Sequence, residues 1–100
     1  MPNNNFVMNV SPDLQNVIQS FDNWSMPFDF SKYVLSSPHL TEDSRLQFKI
    51  IWETAVDSNN WKDVDLVLGC KIAQNRLELI AILSENAIAC IVRAASYEWR

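Results

Sequence analysis

Residues 79–100 read LIAILSENAIACIVRAASYEWR, the most apolar stretch of this 100-residue chain. Such a segment can cross a membrane, form the heart of a small core, or meet another protein. A span needs about 20 predominantly apolar residues with few or no charges. Here the apolar runs Leu79 to Leu83 and Ala87 to Val92 are split by Ser84-Glu85-Asn86 and followed by Arg93. A span would carry Glu85 at its centre and Arg93 beyond it, two charges that hydrocarbon penalises. The sequence therefore predicts no membrane segment and leaves the core and the interface.

Turning the segment by about 100° per residue gathers Glu78, Glu85, Asn86, Arg93, Ser96 and Arg100 into one narrow strip. Leu77, Ile80, Leu83, Ala87, Ile88, Ile91, Ala94 and Ala95 fill a broad opposite arc, wider than a surface helix needs. The expectation is a central C-terminal helix covered on at least two sides. Ala81, Ala87, Ala94 and Ala95 would let a neighbour approach closely. Asn75 and Glu78 have the spacing of a capping box and place the start of this helix there, with Ser84-Glu85-Asn86 inside it. Ile82 and Ala89 are apolar residues within the polar strip.

Upstream, Asn60 as an oxygen cap and Asp63 three residues later predict a third helix over about 61–74, with Trp61, Val64, Leu68 and Ile72 on one side. The alternation in VDLVLGCKIA (64–73) also fits a strand; helix is the reading adopted. Thr41-Glu42 opens a second helix over about 42–58, whose face carries Phe48, Ile51, Trp52 and Ala55. Leu46 and Ile50 lie off that face, near Asp43, and either meet the chain's own N-terminal segment or stay exposed. Ser11-Pro12 opens a short first helix over about 12–20, with Leu14, Val17, Ile18 and Phe21 on one side.

Composition agrees with helices. There is one glycine, Gly69, too few for the tight turns of an all-β fold. The fold class expected is a small all-α domain of four helices, residues 1–100, with residues 1–10 loosely ordered. Between its first two helices runs an aromatic-rich irregular arm, FDNWSMPFDFSKYVLSS (21–37), which holds Phe21, Trp24, Phe28, Phe30 and Tyr33 with Met26 and Pro27. Rings at that density either drape over the helices or form a docking surface, where aromatic anchors dominate binding energy.

Charge points to the same half. Residues 1–60 hold seven acids and three bases, whereas 61–100 hold five of each, so the net charge of −4 belongs to the half that carries the arm. Acids around apolar anchors suit a basic partner, since charge steers encounter and rings supply hold. The residues expected to contact it are Asp22, Trp24, Met26, Phe28, Asp29, Phe30 and Tyr33, with Asp43, Leu46 and Ile50 from the second helix.

Chemistry of the chain's own finds little footing. His39 is the only histidine, Cys70 and Cys90 sit in apolar surroundings, and neither pairing nor spacing suggests a nucleophile or a metal set. One glycine precludes a glycine-rich phosphate loop. The eight basic residues are scattered singly, which argues against direct contact with nucleic acid. With no secretory signal visible and two cysteines that read as reduced core thiols, a cytoplasmic location is expected. The leading expectation is a small binding or inhibitory protein of the immunity or anti-defence kind, without cofactor or metal. It would block a basic partner, such as a nuclease or toxin domain. The alternative is a structural or regulatory homo-oligomer, such as a homodimer, packed through the C-terminal helix.

Overall fold

A computed structural model describes residues 7–100. The chain is mostly helical, in the order β1 (Met8–Asn9), α1 (Pro12–Ser20), a 3-10 turn (Pro27–Asp29), α2 (Phe30–Leu35), α3 (Glu42–Val56), α4 (Ser58–Trp61), α5 (Leu66–Ile80), β2 (Ala81–Ile82) and α6 (Glu85–Glu98). Among the described residues there are six α-helices instead of the expected four, because the arm contributes α2 and the link after α3 contributes α4. Within the segment 1–10 expected to be loose, Met8 and Asn9 pair in parallel with Ala81 and Ile82; residues 1–6 lie outside the described residues.

Local capping chemistry sets most of the boundaries. Ser11 Oγ accepts from the Leu14 N–H at 3.2 Å, with Pro12 at the first helical position, and Thr41 Oγ1 accepts from the Ser44 N–H at 3.1 Å. The Ser11 and Ser44 hydroxyls lie 3.1 Å apart, which ties the starts of α1 and α3 together. Asp65, not Asn60, caps α5: its Oδ1 accepts from the Leu68 N–H at 2.8 Å. The third helix therefore starts later than expected and runs through Asn75 and Glu78 without interruption.

The last helix also differs from expectation. Its cap is Ser84, whose Oγ accepts from the Ala87 N–H at 3.1 Å, so Ser84-Glu85-Asn86 is the entrance of α6 and not its interior. The capping-box spacing at Asn75 and Glu78 marks no start, because nothing there interrupts the helical backbone. The break comes at Ala81–Ile82, which leave the helix to pair with β1. Gln15 and Gln19 of α1 fix the new entrance: Gln15 Oε1 accepts from the Ser84 N–H at 2.8 Å and Gln19 donates to Ser84 Oγ at 3.2 Å.

Once started, α6 packs against α1, α3, α5 and the 3-10 turn. Ala87, Ile88, Ile91, Val92, Ala94, Ala95 and Ser96 are buried along it, and the Trp99 indole N–H donates to the Val56 carbonyl at 2.9 Å beyond its far end. Each fully enclosed Leu, Ile or Phe of this core is worth about 1.5–3 kcal/mol relative to exposure.

The link between α3 and α5 is densely bonded. Asn60, fully buried, donates from Nδ2 to the Thr54 and Ala55 carbonyls at 2.7 and 3.1 Å and accepts at Oδ1 from Arg76 at 2.7 Å. The Trp61 indole N–H donates to the Ala55 carbonyl at 2.8 Å. The Trp61 ring lies so close to Gly69 that a Cβ there would come within 2.4 Å of it, which explains the one glycine of the chain.

Candidate protein-binding surface

The arm is rooted by its own rings. Phe21, buried, meets Trp24 at 4.9 Å, Phe30 at 5.4 Å and Tyr33 at 5.3 Å between centroids, all edge to face. Phe30 continues the cluster into α3 through Phe48 at 6.0 Å and Trp52 at 5.5 Å. Trp24 stacks on Phe30 at 6.1 Å, and the Arg93 guanidinium of α6 lies 4.1 Å from the Trp24 ring. These contacts make the arm a fixed part of the fold.

With that root in place, the tip turns outward. The Met26 N–H donates to the Asn23 carbonyl at 2.9 Å and the Asp29 N–H donates to the Met26 carbonyl at 3.0 Å, which folds 23–29 into two successive tight turns. Pro27 opens the second of these, consistent with its fixed φ. Met26 is left 54% exposed and Phe28 63% exposed, between the exposed carboxylates of Asp22 and Asp29.

Two recesses share Tyr33, and one of them borders the tip. One, about 300 Å³, is lined by Phe21, Asp22, Asn23, Asp29, Lys32, Tyr33 and Ser36. The other, about 420 Å³, is lined by Asp13, Asn16, Val17, Ser20, Tyr33 and His39. The Tyr33 hydroxyl bonds to Ser20 Oγ at 2.6 Å, which holds the dividing ring upright on α1.

The sequence-predicted residues thus separate into three groups. Asp22, Asp29 and Tyr33 line one recess together, and Met26 and Phe28 are exposed on the turns between Asp22 and Asp29. Trp24 is half-buried beneath it, and Phe30 is wholly enclosed in the core, so Phe30 supports the face and offers nothing to a partner. Asp43, Leu46 and Ile50 are exposed on α3 among the described residues, with Leu46 and Ile50 each about half exposed, but none of the three lines either recess. They form a patch of their own. Asp13 and Asn16 of α1 and His39 of the loop after α2 also line the second recess; the sequence pattern does not set them beside Tyr33, because the packing of α1 against α2 does.

The second recess brings a serine, a histidine and an acid together without the bonds that would make a nucleophile of the serine. Ser20 Oγ donates to the Val17 carbonyl at 2.8 Å besides its contact with Tyr33, and no hydrogen bond joins the His39 side chain to Ser20 or Asp13 among the described residues. Burial pushes the half-buried Cys70 and Cys90 thiols above their ordinary pKa, so both are protonated at neutral pH and poor nucleophiles. Among the described residues no group of three or more His, Cys, Asp or Glu side chains is placed to hold a metal ion. Among the described residues no helix is long and apolar enough to cross a membrane.

No family model matches the chain, and no curated protein or solved structure is similar to it.

Proposed function

We propose that the protein is a small acidic binding module, of the immunity or anti-defence kind, that docks through the tip of its arm onto a basic protein and blocks that partner's working surface. The observation that carries this reading is the pair Met26 and Phe28, held exposed by two consecutive turns between Asp22 and Asp29 on a root of buried rings. Large apolar side chains are usually hidden when the fold allows it. Here the fold spends its turns on presenting them. A rigid anchor loses little conformational freedom on binding, and flanking carboxylates steer a cationic surface toward it.

The net charge of −4 arises in residues 1–60, which include this face, and suits a partner whose own ligand is nucleic acid. Blocking such a partner requires no chemistry from this chain. The two unpaired, half-buried cysteines are compatible with a reducing compartment, where we place the protein. The test is affinity capture with the tagged protein beside a Met26→Ser plus Phe28→Ser variant. A partner of high isoelectric point, retained by the wild type, lost by the variant and released as salt rises, is the expected result. A partner list unchanged by the variant removes the arm from the function.

A further inference from the structure

A groove of about 490 Å³ runs between α5 and α6, far from the arm's tip in the sequence and unused by the reading above. Its walls are charged in an ordered way. Glu78, near the end of α5, and Glu85, at the start of α6, line the end where the chain turns from one helix into the next; Arg93 and Arg100 follow along α6. All four are exposed, and none is in an ion pair among the described residues, where Arg76–Asp57 is the salt bridge formed. The floor between them is apolar, with Ile88, Val92 and the exposed Ala89.

Ala89 lies four residues from Glu85 and four from Arg93. An antiparallel copy of α6 crossing at Ala89 therefore sets each Glu85 opposite the other copy's Arg93, and one two-fold axis forms both pairs. Residues 85, 89 and 93 make a ridge of the kind that packs helix against helix, and the small Ala89 side chain lets the two backbones come close. At about 1.5 Å per residue each charge sits about 6 Å from the axis, within the contact zone of the crossing. Arg93 is already positioned by Trp24, and stacking on a ring face leaves the edge of its guanidinium fork for a carboxylate.

We propose that this groove is a self-association face. A second copy of the chain lays its α6 into it antiparallel, with the axis at Ala89 and Glu85 of each copy paired with Arg93 of the other. Exposed ion pairs are individually weak and Ile88 and Val92 are already largely buried, so the dimer is a weak one that weakens further as salt rises.

Sedimentation equilibrium on the full chain, up to roughly millimolar concentration, tests this with Glu85→Arg and Arg93→Glu. Each variant alone brings like charges together and is expected to dimerise at least about tenfold more weakly than wild type. Mixed, the two variants are complementary again and are expected to associate as a heterodimer. Ala89→Lys sets two like charges on the axis without touching Trp24, and is expected to be monomeric even if Arg93→Glu disturbs the arm. Circular dichroism confirms that each variant keeps its helices. A wild type that stays monomeric, an Ala89→Lys variant that dimerises like wild type, or folded single variants that fail to associate when mixed would each overturn the proposal.

Discussion

The dipeptide Asn-Trp occurs twice, at 23–24 and at 60–61, and the two copies meet opposite fates. Asn23 is exposed: its Oδ1 accepts from Ser25 Oγ at 2.9 Å and its carbonyl closes a surface turn. Asn60 has no exposure at all and satisfies two carbonyls at the end of α3 while accepting from Arg76. Trp24 lies half-buried with a guanidinium over its ring, whereas Trp61 is buried with its indole N–H bonded and its face against Gly69. The same two residues serve a presented surface in one place and a structural knot in the other. What differs is whether a helix end needs its orphan carbonyls satisfied.

The comparison is broken most forcefully at Asn60. Asn60→Ala removes both bonds to the α3 terminus, takes this donor from the Thr54 carbonyl and an acceptor from Arg76, and leaves Ala55 with the Trp61 indole alone, a loss of about 3 kcal/mol in urea unfolding, whereas Asn23→Ala changes stability by no more than about 0.5 kcal/mol. Equal losses at the two sites would refute the distinction.

Next in size is Gly69. A glycine inside a helix ordinarily gains about 1 kcal/mol when replaced by alanine. Here the added methyl meets the Trp61 ring at 2.4 Å, so Gly69→Ala is expected to destabilise by about 1–3 kcal/mol. The loss should shrink in a Trp61→Leu background if the clash is its cause, and a double-mutant cycle in thermal unfolding reads that coupling.

Beside the first Asn-Trp pair almost no effect is expected. Met26→Ser plus Phe28→Ser leaves the unfolding midpoint within about 0.5 kcal/mol of wild type, because both side chains already face water. A large loss of stability would mean that the tip serves the core and not a partner.

The smallest effect concerns pH. The Asn59 backbone N–H and then Arg76 hold the Asp57 carboxyl below its ordinary value of 3.8. A depressed folded pKa stabilises the native state fully above the unfolded value, and that contribution is lost as pH falls through the folded value. Asp57→Asn should therefore unfold more readily than wild type at neutral pH, with the difference closing in acid below 3.8; a gap constant with pH would exclude the ion pair as its source.

That part of the arm would stay exposed was legible in the density of rings and acids between 21 and 33, since such a run has few ways to hide every ring. Which rings would hide was not. Phe30 is enclosed because α2 turns it onto Phe48 and Trp52, a contact across 18 and 22 residues that no local pattern encodes. Arg93 beneath Trp24 was equally out of reach, since 69 residues separate them.

By itself the sequence determined the mostly helical character, the entrances of α1 and α3 and the charge asymmetry between the halves. Each rests on interactions within a few residues or on composition, and needs no partner from elsewhere in the chain. Tertiary structure alone decided where LIAILSENAIACIVRAASYEWR is cut. Ala81 and Ile82 are apolar residues that a helix or a strand could use, and their strand is specified by Met8 and Asn9, more than 70 residues earlier, with Gln15 and Gln19 receiving Ser84 beside it. Backbone groups take whichever bonds the assembled fold provides, so a segment balanced between two local states is settled by partners that lie beyond its own neighbourhood.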